Sequence, residues 1–157
     1  MRLIISDRDV RANEKDRVIR ANGAQNGCCG CFSCWLKTPG TCTLDDELKD
    51  MGRLLSDCEE LIVVSRCVFG GYSPDVKKVF DRSIAYVSPF FERRMGNMHH
   101  RRRYFNDIEM SVFFYGECGE DEKLTARQLV RANAINFFAL VRDISFVDED
   151  SLGEVML

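Results

Sequence analysis

The sequence predicts one α/β domain over residues 1–157, with a five-stranded parallel sheet of order 2-1-3-4-5 and helices on both faces, a three-layer sandwich. Three observations predict it. Short continuous apolar runs such as Leu61-Ile62-Val63-Val64 read as strands covered on both faces. Stretches of helical periodicity alternate with them. No internal repeat, low-complexity segment or linker divides the chain.

Each element follows in order. Leu3-Ile4-Ile5 is the first strand, and Arg17-Val18-Ile19-Arg20 is a second, at an edge. About a dozen residues separate them, near the minimum for a parallel crossover. A cysteine loop follows, punctuated by Gly27, Gly30, Pro39 and Gly40. Thr43-Leu44-Asp45-Asp46 fits a capping box that opens a helix, with Leu48, Met51, Leu54, Leu55 and Cys58 as its apolar stripe. After the strand at 61–64 comes the loop Ser65 to Tyr72. Ser73, Pro74 and Asp75 then form a favoured helix start. Val76, Val79, Phe80, Ile84 and Val87 share one face of that helix. Lys77 and Asp81 pair at i,i+4 on its surface, with Arg82 beside them. Residues 88–107 break the alternation, being aromatic and then basic. Glu109 to Tyr115 is a buried strand. Glu120 to about Leu140 is a long helix, with Ala126, Leu129, Val130, Asn133, Ala134 and Phe137 on one face. Ile144 to Val147 is the last strand, and the tail is acidic.

Composition narrows the function classes. The net charge of −3 implies no general affinity for nucleic acid or membrane surfaces. The opening apolar run is too short for a signal peptide, and no stretch has the length of a membrane span. Eight cysteines without an export signal point to a reducing compartment, the cytoplasm, and to thiols or metal ligands in place of disulfides.

Four of those cysteines carry the strongest local signal. Cys28, Cys31, Cys34 and Cys42 read C-x2-C-x2-C-x7-C, with Cys29 as an extra. Thiols at this spacing suit an iron–sulfur cluster or a zinc ion. They equally suit reduced thiols closing over the sheet edge. In parallel sheets of this kind, ligands bind outside the carboxyl ends of the strands. The loops at 6–13, 65–72 and 115–119 are therefore the candidate site.

The cysteine spacing, the following Asp45-Asp46, the strand, Gly70-Gly71, and the run Val76-Lys77-Lys78-Val79-Phe80-Asp81-Arg82 together resemble the flavodoxin-like NADPH-dependent FMN reductases and the related iron–sulfur flavoproteins. Ser65, Gly70, Val76, Lys77, Asp81 and Arg82 match that pattern. Arg66 and Val68 stand where the family carries a proline and a tyrosine. The resemblance implies FMN as cofactor, NAD(P)H as reductant, a small-molecule electron acceptor, and a homodimer or higher homo-oligomer. It places Arg66, Cys67, Val68, Phe69, Gly70, Gly71 and Tyr72 on one side of the flavin ring, and Tyr115, Gly116 and Glu117 on the other. It also admits a 4Fe–4S cluster on Cys28, Cys31, Cys34 and Cys42. One departure is plain: the family's glycine-rich phosphate loop is replaced by residues 6–13, which contain no glycine. Arg8 and Arg11 are then the phosphate ligands available. A binding module without flavin is the reading this departure leaves open.

The remaining signals are weaker. Adjacent His99 and His100 point apart in any regular element. The basic insert at 92–104 reads as a contact for nucleotide phosphates, a subunit interface, or a solvated loop. Trp35 packs under the cysteine loop, Cys58 and Cys67 are small core residues, and Cys118 lies in a site loop. No G-x-S-x-G or Ser-His-Asp arrangement appears, so any redox chemistry belongs to the cofactor.

Overall fold

In the computed structural model, which describes residues 1–149, the first strand β1 (Arg2–Ser6) lies between β2 (Arg17–Arg20) and β3 (Glu60–Arg66), parallel to both. The acidic tail beyond Glu149 lies outside the described residues. β6 (Ile108–Tyr115) and β7 (Ala139–Val147) extend the sheet on the β3 side, also in parallel. The order is β2-β1-β3-β6-β7. This numbering departs from the expected 2-1-3-4-5. The cause is the basic segment, which folds into β4 (Val87–Arg94) and β5 (Asn97–Arg102), an antiparallel pair outside the main sheet.

The helices are α1 (Ser33–Leu36), α2 (Met51–Ser56), α3 (Pro74–Arg82) and α4 (Glu120–Phe137), with a 3-10 turn at Ser83–Tyr86. Buried residues of α2, α3 and α4 pack with Leu3, Ile5, Leu61, Val63, Met110, Val112 and Phe114, all from one face of the sheet. The alternate residues Ile4, Ile62, Val64 and Tyr115 form a separate cluster with Val10, Val18, Phe113 and Val147, and no helix of the described residues joins it. The expected three layers are therefore two among the described residues. The connection between β1 and β2 is too short to lay a helix on the second face. It runs instead as a loop tied by Arg2 to Asp16 (2.9 and 2.7 Å).

Several boundaries move for local reasons. The box at Thr43 does not start a helix. Asp46 accepts the Leu48 N–H and holds Arg82, so the turns at 44–50 stay irregular and α2 begins at Met51. The expected stripe still points inward, with Leu48, Met51, Leu55 and Cys58 buried. α3 starts as expected, with the Ser73 hydroxyl accepting the Val76 N–H behind Pro74. Lys77 and Asp81 do pair at 2.6 Å, but Arg82 leaves the helix surface and is wholly buried.

α4 ends three residues sooner than its periodicity suggests, because Phe138 takes a left-handed conformation (φ 57°). The hairpin fixes that cap. Arg94 and Arg102 lie over the Phe138 ring at 4.0 and 4.6 Å, and Arg94 donates to the Ile135 carbonyl. β7 then begins at Ala139, five residues before the expected Ile144. Met95 and Gly96, both at positive φ, make the tight turn of the hairpin. The basic insert is thus a docked β-ribbon, not a solvated loop.

Candidate functional site

Two clefts collect the residues singled out by sequence. The first lies at the carboxyl edge of the sheet. After β3 the chain makes a two-residue turn in which Val68 and Gly71 exchange both backbone hydrogen bonds, at 3.0 and 2.9 Å. Phe69 and Gly70 occupy the turn at φ 50° and 72°. Gly70 is required there. A Cβ would stand 2.8 Å from the Thr125 Cβ and 2.9 Å from the Glu122 carbonyl of α4. Ser65 accepts the Ser73 N–H through its hydroxyl and closes the base of the loop. The turn is therefore pinned on two sides, and it holds Phe69 90% exposed.

Arg66, Cys67, Val68 and Phe69 face Gly116 and Glu117 across a cleft of about 700 Å³. These are six of the residues expected around a flavin. The other expected residues sit elsewhere. Tyr72 points into the core, 8% exposed, between the rings of Phe80 and Phe114. Burial pushes its hydroxyl well above the ordinary tyrosine range. Tyr115 lies on the opposite face of the sheet and donates to Asp7 at 3.0 Å, and burial with that carboxylate pushes it up to about 12. Gly70 and Gly71 shape the turn without lining the cleft. Arg8 stacks over Tyr115 at 5.0 Å and donates to the Glu149 carbonyl, while Arg11 is exposed outside the cleft.

The expected phosphate loop is closed by its own acid. The Asp7 carboxylate accepts the Arg66 N–H at 3.0 Å as well as the Tyr115 hydroxyl. The Arg66 N–H, a backbone donor at the sheet edge, is thereby used. Sequence reasoning also missed the acidic wall: Glu122, Asp148 and Glu149 line the same cleft beside Glu117. Only the threading of α4 and β7 past the edge brings them there, so no local signal marks them.

The second cleft, about 650 Å³, lies beside the hairpin and the end of α3. Cys28, Cys29, Cys31, Cys34 and Cys42 all line it, with Arg82, His99 and His100. Cys28, Cys29 and Cys31 are exposed, Cys42 is half-buried and Cys34 is buried. Burial, then its neighbours Cys42, Cys28 and Cys31, push the Cys34 thiol up. The Ser33 hydroxyl and N–H, aided by Thr43 and Cys29, bring Cys31 down to about 7. Among the described residues no three Cys, His, Asp or Glu side chains converge in a metal-holding group.

Behind the lining residues Ile84, Val87, Phe32 and His100, Trp35 donates its indole N–H to the Ile84 and Val87 carbonyls, stacks on Phe32 and tilts against His100. His99 contacts Asn136 at 3.1 Å, and His100 donates to the Ser88 carbonyl at 2.8 Å. Both histidines line the cleft, each with a different partner. Among the described residues, no helix is long and apolar enough to cross a membrane. Comparison of the chain with protein-family profiles and with curated proteins found no match.

Proposed function

We propose that the chain is a flavodoxin-like oxidoreductase that binds FMN at the carboxyl edge of its sheet and passes electrons from NAD(P)H to a small acceptor. Counted within the sheet alone, the parallel strands run second, first, third, fourth, fifth, which supports that winding. The observation that carries the reading is Phe69, an aromatic ring held 90% exposed on a pinned turn beside a cleft of flavin size.

The residues present fit the ring end of the cofactor better than its phosphate. Phe69 offers a stacking face, Arg66 a cation, and Val68 and Gly116 close backbone walls. Glu117, Glu122, Asp148 and Glu149 repel a phosphate, so the phosphate belongs outside the cleft, toward Arg8 and Arg11. When bound, FMN supplies the redox chemistry. The chain's own residues orient the ring and keep water from one face of it.

A second reading is supported by one observation: all four cysteines of the C-x2-C-x2-C-x7-C motif line a single cleft, although their thiols do not converge as they stand. It makes the protein an electron carrier with a 4Fe–4S cluster on Cys28, Cys31, Cys34 and Cys42. Exposed Phe90, Phe91, Met95 and Met98 on the hairpin support self-association into a homo-oligomer. Eight free thiols suit a reducing, cytoplasmic setting.

The test is an absorption spectrum of protein purified without air, followed by FMN titration and an NAD(P)H oxidation assay. Flavin bands with NAD(P)H oxidation support the first reading. Bound iron with sulfur-to-iron absorption supports the second. A colourless protein that stays colourless with added FMN overturns both and leaves a binding module.

A further inference from the structure

Cys67 and Cys118 place their sulfurs 2.8 Å apart across the carboxyl edge of the sheet. The contact is built by the strands. Cys67 is the first residue after β3, and its N–H donates to the Tyr115 carbonyl at 2.9 Å, continuing the β3–β6 register. Cys118 lies between Gly116, at φ 86°, and Gly119, the cap of α4. Cys67 is 7% exposed and Cys118 is half-buried, so Cys118 is the more accessible of the two. Both are free thiols, and Cys67 also lines the acidic cleft. A disulfide needs a sulfur separation of about 2.05 Å, which a small shift of the glycine-flanked Cys118 reaches from this contact.

We propose that Cys67 and Cys118 form a redox-active dithiol whose substrate is a low-molecular-weight disulfide. The Cys118 sulfur gives up its proton and attacks one sulfur of the external disulfide, whose S–S bond breaks and releases the first small thiol. The Cys67 sulfur then attacks Cys118 in the mixed disulfide, loses its proton, and expels the second small thiol. The two protein thiols lose two electrons and two protons, and the external disulfide becomes two thiols. The order of the steps follows from burial. Burial and the nearby Cys118 push the Cys67 thiol up to about 12, so it keeps its proton and acts second. This chemistry does not depend on bound flavin.

The test uses the full chain, reduced and then equilibrated without air in mixtures of reduced and oxidised glutathione. Samples are quenched in acid, alkylated and mapped by mass spectrometry. The expected result is a linked pair of peptides holding Cys67 and Cys118, lighter by two hydrogens, rising in a single transition. Cys67→Ser is expected to stop at one glutathione on Cys118, and Cys118→Ser to leave Cys67 unmodified. Free Cys67 and Cys118 in excess oxidised glutathione overturn the proposal, as does Cys118 paired with Cys28, Cys29 or Cys31. Failure of the soluble Cys67→Ser variant to trap glutathione at Cys118 overturns it independently.

Discussion

Arg82 donates from both terminal nitrogens to both carboxylate oxygens of Asp46, at 2.8 and 2.7 Å, with its side chain wholly buried. One of those nitrogens also donates to the Asn26 carbonyl at 2.9 Å. The end of α3 is thereby fastened to the turns before α2 and to the approach of the cysteine loop. Charge and carboxylate serve here as a three-way joint beneath the second cleft.

Removing the carboxylate leaves the guanidinium buried without its countercharge, with the Asn26 carbonyl still bonded. Breaking a buried pair from one side costs about 3–5 kcal/mol. Asp46→Ala is expected near the lower end, about 3 kcal/mol, because Asp46 retains some contact with water. Chemical denaturation measures it. A loss below about 0.5 kcal/mol would mean the joint adds nothing beyond an ordinary surface pair.

The same joint sets a pH dependence. Hydrogen bonds from Arg82 hold the Asp46 carboxyl below its usual range, and those from Arg2 do the same for Asp16. A carboxylate whose folded pKa lies below its unfolded value contributes stability above the unfolded value. That contribution is lost as pH falls through the folded one. With unfolded aspartate near about 3.9, the loss begins near about pH 4 and runs downward. Denaturation midpoints measured from neutral to acid pH should fall in this window. Asp46→Asn should start lower and fall less steeply, and two parallel curves would show that Asp46 does not titrate against folding.

The sheet was legible because its strands are apolar runs of the kind buried parallel strands require. The helical stripe of α2, and that of α3 as far as Phe80, were legible from their periodicity; Ile84 instead falls in the 3-10 turn and Val87 opens β4. What escaped the sequence was decided by distant partners. Thr43 to Asp46 has the letters of a capping box, but Asp46 is taken by Arg82, which lies 36 residues on. The hairpin of β4 and β5 carries arginines where an amphipathic strand would carry apolar residues, and those arginines find Phe138 and the end of α4. The cysteine cleft was half legible: spacing gathered the thiols, while the wall of His99 and His100 depends on a ribbon with no local signature. At the carboxyl edge, Tyr72 and Tyr115 looked like ring contacts but are consumed by the two faces of the sheet.

Thiol reactivity should rank by environment. Cys31 is exposed and brought down to about 7 by Ser33, Thr43 and Cys29, whereas burial pushes Cys58 up to about 11. Since the thiolate is the nucleophile, iodoacetamide at neutral pH should mark Cys31 early and leave Cys58 unmodified. The Cys31 rate should rise through about pH 7, and Ser33→Ala should move that rise upward. Peptide mapping across pH reads both. A Cys31 rate that follows an ordinary thiol near about 8.5 would remove the role given to Ser33. Protection of Cys31 after anaerobic reconstitution with iron and sulfide would mark it as a cluster ligand.

The flavin reading stands on Phe69, so its substitution is the decisive variant. Phe69 is 90% exposed, so truncation should leave stability within about 0.5 kcal/mol. Its backbone is at φ 50°, a region that asparagine enters more readily than alanine. Phe69→Asn is therefore the cleaner removal, with Phe69→Trp as the variant that keeps a stacking face. If the isoalloxazine lies against this turn, loss of the aromatic should weaken FMN about tenfold, equal to about 1.4 kcal/mol, while tryptophan keeps most of the affinity. Flavin fluorescence quenching gives both constants. Equal affinity in wild type and Phe69→Asn would put the ring somewhere other than this cleft. A Phe69→Asn protein that also unfolds early would instead mean that the turn, not the stacking face, had been damaged. Measuring stability beside affinity separates the two.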